Sequence, residues 1–192
     1  MTLPIIRVER PSIDLTGLPA RFMNPGELET LVALIGSVKP KGVLEFGVNT
    51  GRTSKVLMDN IPSIERYQGI DVPIGYTTSK EVQRREVPVN PGSMVETYPQ
   101  FELILRPRGS LDLSVADLAL CNAAFIDGDH GYDAVLHDTM LATALVRPGG
   151  IIVWHDYHDL GTVDVKRALD ELYDAGEKLT RVEGTWFVYQ RV

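Results

Sequence analysis

What most restricts the fold of this chain is a repeated alternation of short apolar runs with helical stretches. GVLEFG at 42–47, IERYQGID ending at Asp71, FELIL from Phe101, AAFIDGDH from Ala123 and IIVWHD at 151–156 each read as a strand. Between them lie helical patterns. Leu28, Leu31, Val32, Ile35 and Val38 share one face behind the start signal Asn24, Pro25 and Glu27, and a second stretch runs through Val56, Leu57 and Asn60. A third runs from Tyr132 to about Val146, and a fourth, from Val163 to Asp174, aligns Val165, Ala168, Leu169, Leu172 and Tyr173. Strands and helices in this alternation pack as an α/β fold, with a mostly parallel sheet between two helical layers. The tail LTRVEGTWFVYQRV has no room for a helix, and its Glu-Gly turn predicts an antiparallel hairpin.

At 192 residues the chain suits one domain. Pro4, Pro11, Gly17 and Pro19 interrupt residues 1–23, which are expected to form an extended segment over the core, with the domain proper at 24–192. Residues 73–99 carry prolines and a charged cluster from Lys80 to Glu86 and read as a mobile excursion; both segments are expected to act as lids at a binding site. A formal charge of −7 and the lack of a Lys/Arg run argue against nucleic acid as a partner. The single cysteine, Cys121, excludes an internal disulfide or a multi-cysteine zinc site and fits a reducing compartment, with cytoplasm as the default. There is no signal-peptide pattern and no apolar segment near the ~20 residues that span a bilayer, so no membrane partner is expected. A homo-oligomer is compatible with the sequence but not specified by it.

In VLEFGVNTGRTS the first strand closes on Glu45, and Gly47 and Gly51 follow before a helix. Glycines there let a ligand approach the backbone. A pyrophosphate loop would read G-x-G-x-x-G, but position 49 is Asn and the acid precedes the loop. The loop therefore favours a ligand without pyrophosphate. A carboxylate at a buried strand end needs a partner, and the ammonium of an amino-acid moiety would suit Glu45. Asp71, closing the second strand, could accept two hydrogen bonds from a ribose diol.

These residues resemble the class I S-adenosylmethionine-dependent methyltransferases, whose first motif is an acid-x-Gly-x-x-x-Gly loop and whose second-strand acid binds ribose. The resemblance spans residues 24–192. It implies a Rossmann-like three-layer sandwich with a seven-stranded sheet in the order 3-2-1-4-5-7-6, the last strand antiparallel. It also implies that Glu45, Gly47, Asn49, Gly51 and Thr53 surround the methionyl part of S-adenosylmethionine, Asp71 its ribose, and Gly109 and Ser110 its adenine edge.

All four histidines fall between positions 130 and 158, in FIDGDHGYDAVLHD and WHDYHD. Neighbouring fourth and fifth strands would bring Asp127, Asp129 and His130 within reach of His155 and Asp156. Asp127 and Asp156 suit a hard divalent cation such as Mg²⁺, and His130 could take a proton from an acceptor hydroxyl. The segment resembles the branch of metal-dependent small-molecule O-methyltransferases, of catechol and sugar-modifying types. The catechol type implies Asp127 and Asp156 as metal ligands and His130 as base. The sugar-modifying type implies an acidic pair where His155 and Asp156 stand, which makes His155 a third ligand that favours Mn²⁺, Fe²⁺ or Zn²⁺. Metal dependence stays open on this reading: without metal, Asp127 would orient the cofactor and His130 or His155 would be the catalytic base. Asp129, His137, Asp138, His158 and Asp159 are expected to be caps, solvated or sheet-end groups, and loop residues.

The implied reaction is methyl transfer from S-adenosylmethionine to an oxygen of a small hydroxylated molecule. Two alternatives are an NAD(P)-dependent oxidoreductase, which would want a third loop glycine, and a catalytically silent cofactor-binding module.

Overall fold

The computed structural model describes residues 2–18, 23–76, 87–161 and 163–192. Its eight-stranded sheet comprises β1 (Ile5–Ile6), β2 (Gly42–Phe46), β3 (Arg66–Asp71), β4 (Phe101–Leu105), β5 (Cys121–Ile126), β6 (Val146–Trp154), β7 (Thr180–Val182) and β8 (Val188–Arg191). The spatial order is β1-β7-β8-β6-β5-β2-β3-β4. Read from β4, with the strands from β2 onward counted one to seven, this is the expected 3-2-1-4-5-7-6. Only β8 runs antiparallel to its neighbours β6 and β7.

The sheet departs from expectation at its far edge. Ile5 and Ile6 do not merely lie over the core; they form an eighth strand parallel to β7. The Arg181 N–H donates to the Pro4 carbonyl at 2.8 Å and the Glu183 N–H to the Ile6 carbonyl at 2.8 Å. These pairings occupy backbone groups that β7 would otherwise present to solvent.

Among the described residues the helices are α1 (Glu27–Gly36), α2 (Arg52–Asn60), α3 (Tyr132–Leu145) and α4 (Val165–Asp174). Strand alternation sends Leu44 and Phe46 into one core with Ile70, Ile126, Trp154 and the apolar faces of α3 and α4. Val43, Tyr67, Phe125 and Val153 face the opposite core with α1 and α2. Trp154 thus belongs to helix packing, where its Nε1–H donates to the Thr139 hydroxyl at 2.9 Å. After α3, residues 147–150 bulge out of register between the Cys121–Val146 and Ala123–Ile151 pairs, with Gly149 at φ 84°. No helix among the described residues is long and apolar enough to cross a membrane.

Candidate functional site

The C-terminal ends of β2, β3, β5 and β6 open into a cavity of about 660 Å³. Parallel strands place their following loops together at this edge, and the strand order reverses direction beside β2.

The glycine loop after β2 is built by backbone geometry. Gly47 has φ 85° and Asn49 φ 50°, and Gly51, at φ 88°, precedes α2. Asp71 fastens the loop to β3: its Oδ2 accepts the Val48 N–H at 2.9 Å and the Asn49 N–H at 2.6 Å, while Oδ1 accepts its neighbour Val72 N–H at 2.7 Å. Burial raises the Asp71 pKa, against the opposing pull of these three amides. Gly47, Asn49, Thr53 and Asp71 line the cavity, as do Gly109 and Ser110 on the far side.

Glu45 and Gly51 are not among the lining residues. Period-two alternation puts Glu45 on the same face as Val43, where its Oε2 accepts hydrogen bonds from the Tyr67 hydroxyl, at 2.8 Å, and from the Ser54 hydroxyl. The carboxyl is fully enclosed, and burial pushes its pKa up to about 8 despite those hydroxyls. It is turned into the α1/α2 core rather than toward a ligand's ammonium. Gly51 instead packs against Val95, whose Cγ2 would lie 2.7 Å from a Cβ at this position.

Beside the loop, β5 and β6 deliver the acid and histidine cluster. Asp127 and His130 follow β5, and Asp156 follows β6 with φ 61°, an unusual conformation for a residue with a side chain. The His130 Nε2 lies 3.0 Å from Asp156 Oδ2 and 3.9 Å from Asp127 Oδ1. One ligand atom from each of these three residues falls within 4.8 Å of the others. Two carboxylates and an imidazole so gathered fit a divalent cation. Burial favours the neutral ring, yet the Asp127 and Asp156 carboxylates carry the His130 pKa up to about 10. Either role for this ring, as metal ligand or as base, uses its neutral form, so a cation bound at the cluster would displace that proton.

His155 stands beneath the cluster rather than in it. The residue is buried, with Nδ1 3.2 Å from Asp127 Oδ1 and 3.5 Å from Asp156 Oδ2. Its Nε2 lies 3.1 Å from Oε2 of Glu27. It does not line the cavity, so neither a third-ligand nor a base role follows from its position. Burial opposes the charge on this ring, but the surrounding acids raise its pKa well above the usual value. Burial likewise works against ionisation of Asp156, whereas His130 and His155 hold it well below the usual carboxylate range.

Three residues read as bland from sequence belong to the site. Glu27, a first-turn acid by pattern, does accept the Asn24 N–H at 2.6 Å, but it also receives the Trp186 N–H at 2.7 Å and meets His155. His158 packs against Trp186 with ring centroids 4.2 Å apart and the rings tilted by 57°, and both line the cavity near Asp156. Asp138 is fully buried in the cavity wall behind Gly128 instead of facing solvent, and burial pushes its pKa up to about 8. His137 packs inward too, its Nε2 3.0 Å from the Ser110 carbonyl oxygen. Asp129 does not cap α3 as expected: its Oδ1 accepts the Gly131 N–H at 2.7 Å in the turn before the helix, and no side chain caps the helix start at Gly131.

Both proposed lid segments reach the cavity through described residues: Met23 from one, Tyr76, Pro88, Ser93 and Met94 from the other. Residues 19–22 and 77–86, including the whole charged cluster from Lys80 to Glu86, lie outside the described residues. The rest of the second segment is pinned to the glycine loop, since the Gly92 N–H donates to the Asn49 carbonyl at 2.8 Å and the Met94 N–H to the Thr50 carbonyl at 2.9 Å.

Comparison with known proteins agrees with this geometry. No curated protein matches the sequence. Similar solved structures include cofactor-bound Rv0187 from MTB, 19% identical with a TM-score of 0.61, covering 90% of this chain and 82% of that one. The SAH-bound methyltransferase PaMTH1 of Podospora anserina is 12% identical with a TM-score of 0.63, over 88% of this chain and 79% of that one. The O-methyltransferase TomG of Streptomyces achromogenes, in complex with SAM, is 18% identical with a TM-score of 0.60, over 90% and 82%. At these identities the likeness is one of fold. The family model described as a methyltransferase domain matches residues 44–157, from β2 through the turn after β6, and so covers both the glycine loop and the acid and histidine cluster. The chain belongs to this methyltransferase-domain family.

Proposed function

We propose that the protein transfers a methyl group from S-adenosylmethionine to an oxygen of a small hydroxylated molecule, with a divalent cation held by Asp127, His130 and Asp156. The observation that carries this reading is the placement of two unlike half-sites on one cavity: a backbone loop braced by Asp71, and a cluster of two carboxylates and an imidazole.

Each residue has a physical part. Asp71 fixes the Val48, Asn49 and Val72 amides and has one of its roughly four acceptor sites left, on Oδ1, for a ribose hydroxyl. Gly47, Asn49 and Thr53 border the methionyl end, and Gly109 and Ser110 the adenine edge. S-adenosylmethionine supplies the electrophilic methyl, and a divalent cation bound at the cluster lowers the pKa of an acceptor hydroxyl. Asp127 and Asp156 are pre-set by their contacts with the two imidazoles, so their orientation is established before any ligand arrives. Trp186 and His158 present an aromatic wall beside Asp156 against which an acceptor ring can lie. Met23 from the first segment and Tyr76, Pro88, Ser93 and Met94 from the second border the mouth and set acceptor choice, while 24–192 form the catalytic domain.

The test is calorimetry with S-adenosylmethionine and its demethylated product, followed by transfer of labelled methyl to a panel of hydroxylated acceptors with and without chelator. Saturable binding and chelator-sensitive transfer are expected. No heat with either nucleoside would sink the reading, and transfer indifferent to chelator would remove the metal from it.

A further inference from the structure

Glu27, which the reaction scheme above does not use, forms a buried pair with His155. Glu27 opens α1 and is fully enclosed, and its two carboxylate oxygens meet four donors: the Asn24 N–H at 2.6 Å, the Asn24 Nδ2 at 3.2 Å, the Trp186 N–H at 2.7 Å and the His155 ring at 3.1 Å. The opposite edge of the same ring faces Asp127 Oδ1 at 3.2 Å and Asp156 Oδ2 at 3.5 Å. A single imidazole therefore spans the distance between an acid on α1 and two of the three residues of the metal cluster.

We infer that Glu27 is a positioning residue: through His155 it sets the orientation of the Asp127 and Asp156 carboxylates and thereby the affinity of the cluster for a divalent cation. The inference rests on the metal-binding reading of the cluster. Without an anchor on its far side, the His155 ring could rotate about its side-chain torsions, and both carboxylates would lose a fixed donor. Glu27 leaves little such freedom, because its own oxygens are tied to the backbone of two other segments. Outer partners that orient ligands in this manner typically change metal affinity 10- to 100-fold when removed. Asn24 and Trp186 also line the cavity, so the acceptor-side wall and the metal carboxylates share one anchor.

The experiment uses the full chain and three readouts: Mn²⁺ affinity by paramagnetic resonance, affinity for S-adenosylhomocysteine by calorimetry, and melting temperature. Glu27→Gln should weaken Mn²⁺ binding 10- to 100-fold and leave the nucleoside affinity within about twofold of the wild type. His155→Gln should do the same, and the double variant should be no worse than either single one, since the two residues act in series. Glu27→Asp should restore part of the loss. A folded Glu27→Gln protein that binds Mn²⁺ within twofold of wild type would overturn the inference, as would additive losses in the double variant. Loss of nucleoside binding in both single variants would assign the pair to the fold alone and overturn it equally. If wild type binds the nucleoside but no Mn²⁺, the metal reading of the site fails, and the inference with it.

Discussion

A Cβ on Gly47 would lie 2.0 Å from the carbonyl oxygen of Asp127. The glycine loop and the first carboxylate of the metal cluster are thus separated by one layer of backbone, and neither can shift without the other. Gly47 also has φ 85°, where a side chain is strained whatever the space. Gly47→Ala should destabilise the protein by roughly 2–5 kcal/mol, the sum of a left-handed penalty and overpacking. Chemical denaturation would measure it. Calorimetry should show weaker binding of both nucleoside and metal ion.

Asp71 separates stability from binding in a graded way. Asp71→Ala strips acceptors from three amides, which should cost about 1–3 kcal/mol for each that stays buried and unpaired. Asp71→Asn keeps one oxygen in place for the Val48 and Asn49 amides. It should retain most of the melting temperature while losing at least tenfold in affinity for S-adenosylhomocysteine.

Glu45 and Asp138 should make the fold sensitive to alkali. Both carboxyls have pKa values raised to about 8 by burial, so between the ordinary carboxylate range and pH 8 the folded state binds more protons than the unfolded one. Their contribution is fully present below the unfolded pKa and is lost as pH rises through the folded value. Stability should fall by several kcal/mol in all across that window. Glu45→Gln and Asp138→Asn should each flatten part of the slope, and urea titrations at a series of pH values would show it.

Asp156→Asn should be destabilising in its own right, by about 3–5 kcal/mol, because it strips a buried carboxylate from two imidazoles. The wild-type melting temperature should rise with Mn²⁺, as for any ligand that binds only the folded state. That rise should vanish in Asp156→Asn and in Asp127→Asn, as read by a thermal shift titration.

The framework of this fold was legible because strand and helix periods are local. The runs at 42–47, 123–130 and 151–156 declare both their strands and the groups at their ends, and Asp127, His130 and Asp156 do converge. What local pattern could not show was direction. Alternation alone would have sent Glu45 to the face of Val43, but a carboxylate beside a glycine loop invites a ligand-facing interpretation. Asp138 sits on a helix whose polar residues suggested solvent, and only the packing of Ser110 and Gly128 over α3 encloses it. Glu27 carried a complete local explanation as a first-turn acid. Its partner His155 is 128 positions away, and no spacing rule connects them. The strand at Ile5–Ile6 escaped notice because two residues between prolines carry too little periodicity to count.

That short strand has a further consequence for how the molecule behaves in crowded solution. By taking up the open side of β7 with only two residues, it ends the sheet in a stub too brief to template another chain. Deleting residues 2–8 would uncover a longer row of unsatisfied amides, and the truncated protein should then self-associate or precipitate at concentrations the whole chain tolerates.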